Sequence, residues 1–371
     1  MSRQIQWFPA RTYVFCAHIV FTIGIRMAHW QKSPGNFTPL GTSLEAEFHR
    51  LESVLTPAEQ FFVCNAGDSV VVDPASYRLK IKGDAVERVV TLGLDDLKAL
   101  PQHTITAVVE CAGNQRTLFE KVDGISISRD SQGDDVKWTL GGVGMAEWTG
   151  PRLADVLALA GVQPKAKWVA PMGLDVLNPE CDIEIPLPVE KALAPETILG
   201  LKMNGAPLPI DHGAPVRMVV PGWVGTYWVK WVGWLTVSSR EIRNYRTDEY
   251  YVMDGKTVTE QNIKSSLCLP FPAALSADQH QITGFARSSG QPIERVEWKV
   301  DDEPWSKAEL LSEPLQWGWV RFGFSWKGEV GAHTIRTRAW DKLGRTQPEK
   351  AKMNPGSLLY NGIIPHPITV R

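Results

Sequence analysis

The 371-residue chain has no CxxC pair, no CxxCH and no cluster of cysteine and histidine at zinc-finger spacing. Zinc ribbons, thioredoxin-type dithiols and covalently attached c-type haem are therefore excluded. Its five cysteines, Cys16, Cys64, Cys111, Cys181 and Cys268, are scattered and odd in number. That pattern does not build a disulfide framework, so each is expected as a thiol. A basic surplus is also missing. Lys and Arg number 39 against 41 Asp and Glu, a formal charge of -2, and no basic block occurs. Nucleic acid and acidic membrane surfaces are thereby excluded as partners. Long apolar runs are absent too. Thr12 to Ile25 is apolar but short for a stable membrane span. It follows Arg3 and Arg11 like a signal segment, yet no twin arginine or A-x-A site accompanies it. Met27 is an alternative start. The compartment stays open: cytoplasmic, or periplasmic if residues 12–25 are a signal.

What is present points to two domains. The length is large for one core, and 15 tryptophans, many in the last two thirds, suit β-rich structure with an aromatic-lined pocket. Residues 1–49 are expected to be an amino-terminal arm lying over a domain. In "LTPAEQFF", Thr56, Pro57 and Glu59 predict a capped helix start. "SYRLKIKG" alternates as a strand, and "TLGLDDLKALP" reads as a short helix ended by Pro101. "TGPRLADVLALAGV" reads as a helix with Thr149 as cap and Leu153, Val156, Leu157 and Ala160 on one face. Strands follow at "KWVAPM" and "APVRMVVPGWVG". Strands and short helices mix without βαβ alternation, so residues 50–243 are predicted as an α+β domain. From 244 to 371 short alternating strands with Gly, Asp and Pro turns predict an all-β immunoglobulin-like sandwich, without helix.

Three segments could carry chemistry. "VVECAGNQR" brings Cys111 to the end of a strand, at a Gly-Asn turn that closes on Arg116. "WTLGGVGMAEWTG" reads as a glycine-rich loop between Trp138 and Trp148. "DHGAPVRMVVPGWVGTYWVKW" collects His212, Arg217 and Lys230 around an apolar strand. A thiolate ligand needs positive surroundings, and a phosphate-bearing cofactor needs cations and glycine N–H groups.

Together these segments resemble the molybdenum-binding domain of the sulfite oxidase family, in the right order over about residues 50–371. The carboxy-terminal sandwich looks like that family's dimerisation domain. The resemblance implies a molybdenum–molybdopterin cofactor with Cys111 as the metal-binding thiolate. It places Asn65, His212, Arg217 and Lys230 on the pterin and its phosphate, Arg116 beside the substrate, and Trp138 in the anion pocket. Arg321, in "WGWVRF", is the expected substrate arginine from the second domain. The implied activity is oxo transfer to a small anionic sulfur substrate, sulfite to sulfate. With no haem expected in this chain, electrons would pass to an external acceptor, a cytochrome or oxygen, and the enzyme would be a homodimer. The alternatives are the same cofactor with another substrate or direction, such as sulfoxide or oxyanion reduction, and a non-catalytic scaffold.

Two departures bear on the substrate. Where the family pattern reads "FFxRNH", this chain has Cys64 and Ala66. A tyrosine expected before "IPLPVEKAL" is replaced by Cys181 or a neighbour. Loss of one cation from an oxyanion pocket is expected to weaken sulfite binding by about 1.5–3 kcal/mol.

Overall fold

The computed structural model describes residues 26–28, 30–127, 136–175 and 184–371. Cys16, Cys181, the apolar stretch 12–25 and residues 128–135 lie outside them. Among the described residues no helix is long and apolar enough to cross a membrane.

The first region is α+β, as its patterning predicts. A four-stranded antiparallel sheet runs in the order Ala206–Pro207, Lys202–Met203, Val143–Pro151, Gln102–Glu110. A five-stranded sheet runs Leu187–Pro188, Trp168–Gly173, Val232–Ser238, Leu79–Lys82, Val90–Leu92, and only its Val232–Ser238 and Leu79–Lys82 strands pair parallel. Leu79 and Ile81, fully buried, alternate with Lys80 as predicted. The Leu94–Ala99 helix forms ahead of Pro101, its first turn closed by the Gly93 N–H donating to Asp96 Oδ2 at 2.7 Å.

Several expectations fail locally, each for a tertiary reason. Residues 37–46 are no overlying arm. Phe37–Leu40 and Ser43–Ala46 pair antiparallel, and Leu44 is fully buried in the main core. "LTPAEQFF" makes a single 3-10 turn, Ala58–Gln60, because the Thr56 hydroxyl is used elsewhere, accepting from Met145 N–H at 3.2 Å. The glycine-rich segment is mostly strand, Val143–Pro151. Its glycines serve close packing: a Cβ on Gly144 would stand 2.6 Å from the Phe61 ring, and one on Gly150 1.8 Å from Leu199 O. Since that strand continues through Thr149 and Pro151, the following helix is shortened to Leu153–Ala158.

The second region is the expected two-sheet sandwich. One sheet orders Lys264–Leu267, Gln279–Arg287, Trp319–Lys327, Glu309–Leu310; the other orders Ala273–Leu275, His366–Val370, Gly331–Asp341, Ile293–Val300, Ser306–Lys307. Gly331–Asp341 alternates cleanly, with Ile335, Thr337, Ala339 and Asp341 inward. Val296, Val320, Phe322 and Ile335 fill the space between the sheets.

The sandwich strands begin at Lys264; before them, Val258 and a five-residue π-helical turn, Arg246–Tyr250, belong to the first region's surroundings. That turn contradicts the expectation of no helix after residue 244. The two regions share an apolar layer in which Val108, Phe119, Val143 and Met145 meet Phe285, Trp319 and Tyr360. The exposed edge of Gln102–Glu110 is sealed there: Val108 N–H donates to Trp317 O at 2.9 Å, and Gln261 Nε2 to Val108 O at 3.2 Å. An edge strand is thus covered rather than left open.

Candidate functional site

Cys111 immediately follows the Gln102–Glu110 strand. Its N–H donates to Gly142 O at 2.9 Å, and its carbonyl accepts from Asn114 N–H at 2.9 Å, so a turn forms at once. Asn114 ties that turn down, donating to Glu110 Oε1 at 2.8 Å and accepting from Gly142 N–H at 2.9 Å. Gln115 takes a left-handed backbone, φ 69°. A Cβ at Gly113 would stand 2.9 Å from an Arg116 guanidinium nitrogen, so glycine is what lets Arg116 fold back over the turn.

This turn forms one wall of a cavity lined also by Cys64, Asn65, Trp138, Asp175, His212, Arg217, Lys230, Arg246, Tyr250 and Tyr251. Trp138 is buried and packs edge-on to Phe62 at 5.8 Å. His212, in the Ile210–His212 turn, is buried against the Phe61 ring at 5.2 Å, and its Nε2 has no hydrogen-bond partner. Burial, aided by Lys32, Arg217 and Lys230, holds its pKa well below the usual 6.5, so the ring is neutral near pH 7.

Arg217 is stabilised on all sides. It donates to His212 O at 3.1 Å and Trp228 O at 3.2 Å, and its guanidinium lies over the Trp148 and Trp228 rings at 4.7 and 5.6 Å. Lys230 Nζ donates to Asn65 Oδ1 and, at 3.0 Å, to Asp211 O, with the Trp231 ring 4.5 Å away. Burial lowers its pKa to about 8. Asp211 accepts from Gln31 N–H at 2.8 Å and from Ser69 Oγ at 2.7 Å, and Ser69 Oγ accepts from Asn65 Nδ2 at 3.0 Å. Asn65, Asp211 and Lys230 therefore form one polar wall.

Seven of the eight residues singled out in the sequence line this cavity: Asn65, Cys111, Arg116, Trp138, His212, Arg217 and Lys230. Arg321 does not. It sits in the Trp319–Lys327 strand opposite Phe285, its N–H donating to Ser312 Oγ at 2.9 Å, beside Cys268. Arg246, from the π-helical turn, lines the cavity beside Arg116 and Arg217. Tyr250 and Tyr251 accompany it, and the Tyr250 hydroxyl is hydrogen bonded to Arg116. The cavity is bordered by four cations, Arg116, Arg217, Lys230 and Arg246, and by two phenols, Tyr250 and Tyr251, while Cys181, in whose region a tyrosine is expected to be lost, lies outside the described residues. Sequence reasoning also missed Asp175, whose carboxyl burial raises to about 6. The available signal was "YRTDEYY" at a domain junction, where binding groups commonly gather.

Among the described residues no group of three or more His, Cys, Asp or Glu could hold a metal ion. Cys111 could bind one only with ligands brought by a cofactor. The surroundings fit a large polar one: the unpartnered His212 Nε2, the half-buried Lys230, the buried Arg217 and the Asn65 wall face one space. Contact with Cys64 and burial hold the Cys111 thiol well above its ordinary pKa, with Arg116 opposing, so metal binding would have to displace its proton.

Residues 66–246 match the model of the oxidoreductase molybdopterin binding domain. The chain is 34% identical to Drosophila melanogaster mitochondrial sulfite oxidase, aligning 81% of this chain and 56% of that protein. It therefore spans little more than half of that relative's length. It is 30% identical to Arabidopsis thaliana sulfite oxidase, over 86% of this chain and 88% of the plant protein. The structure superposes on the sulfane dehydrogenase SoxCD from Paracoccus pantotrophus with a TM-score of 0.77 and 25% identity, covering 100% of this chain and 96% of the other. The chain belongs to the sulfite oxidase family of molybdenum–molybdopterin oxidoreductases.

Proposed function

We propose that this protein oxidises a small anionic sulfur compound, with sulfite to sulfate as the leading reaction, and passes the electrons to an external acceptor such as a cytochrome or oxygen. One observation carries the reading: the Cys111 thiol and the cations Arg116, Arg246 and Lys230 border a single cavity. When bound, the cofactor supplies a redox centre competent for oxo transfer.

The chain's residues divide the remaining work. Cys111 is the thiol to ligate the metal, a soft donor that tunes its electronics. His212, Arg217, Lys230 and Asn65 would hold the pterin, with neutral His212 offering its unpartnered Nε2. Arg116 and Arg246 offset the negative charge of substrate and product by charge-assisted hydrogen bonds. Tyr250 orients Arg116 through its hydroxyl, and Trp138 and Phe62 close the aromatic side against water. The sandwich is assigned to homodimer formation.

The test is Cys111→Ser in protein made with cofactor. Wild type should carry stoichiometric molybdenum by elemental analysis and oxidise sulfite with an acceptor dye. The variant should keep its circular dichroism but lose metal and turnover. A metal-replete, active Cys111→Ser protein would overturn the assignment. A second reading rests on SoxCD, which covers the whole chain: the substrate is a sulfane sulfur rather than sulfite. Comparing kcat/KM for sulfite with that for a persulfide or polysulfide separates them.

A further inference from the structure

Beside Cys111 the cavity contains a second thiol, Cys64, that the reaction above does not need. Cys64 and Cys111 both line it, their side chains are hydrogen bonded to each other, and neither is in a disulfide. They come from distant segments, each held by backbone pairing. Val63, just before Cys64, exchanges hydrogen bonds of 2.8 and 2.9 Å with Leu44, and Cys111 N–H is anchored on Gly142 O. Two fixed pieces of backbone therefore present the sulfurs to one another. A disulfide requires the sulfurs to close from hydrogen-bond contact to about 2.05 Å. Access is unequal: Cys64 is exposed and Cys111 partly buried, so a small oxidant meets Cys64 first.

We infer that Cys64 and Cys111 form a reversible disulfide in the cofactor-free protein, which shields Cys111 until the metal is inserted. The oxidant is a hydroperoxide. Cys64 sulfur attacks its O–O bond, giving a sulfenic acid and releasing an alcohol, or water from hydrogen peroxide. Cys111 sulfur then attacks the Cys64 sulfur; the S–S bond forms and water leaves. Overall the two thiols lose two protons and two electrons, which reduce the hydroperoxide. A dithiol reductant returns both thiols by exchange. Without an adjacent partner, a Cys111 sulfenic acid would progress to the irreversible sulfinic acid and the site would be lost. The shielding role rests on Cys111 as the metal-binding thiol; formation of the disulfide does not.

The experiment uses the full chain in two forms, one from cells unable to make molybdopterin and one loaded with cofactor. Each is treated with hydrogen peroxide, alkylated and mapped by peptide mass spectrometry. In the cofactor-free protein we expect loss of both alkylation sites, a cross-linked peptide joining Cys64 to Cys111, and recovery of both sites with dithiothreitol. Cys64→Ser should give no cross-link and leave Cys111 over-oxidised. The loaded protein should give no cross-link. Continued alkylation of both cysteines after peroxide, or a bridge from either to Cys16, Cys181 or Cys268, would overturn the inference. A cross-link formed equally in molybdenum-replete protein would overturn the shielding role and, with it, the ligand assignment of Cys111.

Discussion

Asp175, in the cavity wall, has its titration moved by its surroundings. Burial moves its carboxyl from 3.8 to about 6, against the opposing pull of Lys230 and Arg246, and Oδ1 has no hydrogen-bond partner. A raised acid pKa means that the folded state holds the proton more tightly than the unfolded chain. Folding is therefore unpenalised below the unfolded value near 4. Stability is lost as pH rises through about 6, and the deficit is constant above that. Asp175→Asn should be more stable than wild type by about 1–3 kcal/mol above neutral pH, with the difference vanishing in acid, as read by urea melts across pH. Arg246 makes a separate prediction, because it was not foreseen in the sequence. Arg246→Gln should raise KM for an anionic sulfur substrate about 10- to 100-fold, the usual worth of a charge-assisted hydrogen bond, with a smaller change in kcat. Unchanged steady-state KM would remove Arg246 from substrate binding.

The strand Gln102–Glu110 shows how an element links the two regions. Its last residue, Glu110, is 2% exposed and sits between Lys264 Nζ at 3.0 Å and the Arg287 guanidinium, both from the sandwich. Asn114 completes the cluster and reaches Gly142, which in turn holds the Cys111 N–H. Removing the carboxylate strands two buried cations. Glu110→Ala should cost about 3–5 kcal/mol in denaturant unfolding, the range for breaking a buried pair, and loosen the Cys111 turn. Glu110→Gln, which keeps the shape and part of the hydrogen bonding, should cost less. A near-neutral Glu110→Ala would show that the cluster is not structural. The same element illustrates what patterning can and cannot deliver. Its apolar run was legible as a strand, whereas the neighbouring Val143–Pro151 strand was hidden by Gly144 and Gly150. Glycines read locally as a loop; here they make room for Phe61 and for the Leu199 backbone.

At the scale of the whole molecule, the sandwich both caps the catalytic region's edge strand and supplies the proposed dimer surface. Light scattering at low micromolar concentration should give a homodimer, and a strictly monomeric species would refute that assignment. The amino-acid sequence by itself determined the α+β and sandwich patterning, the Cys111 turn and the chemical character of His212, Arg217 and Lys230. Periodicity and turn chemistry are local, so neighbouring residues suffice to specify them. Tertiary structure decided that residues 37–46 enter the core and that Arg321 stays away from the cavity. It also decided that Arg246, Tyr250 and Tyr251 enter the cavity and that Cys64 meets Cys111. Those outcomes depend on where distant segments pack, and side chains far apart in the chain acquire a shared environment only when burial of the two regions brings their backbones together.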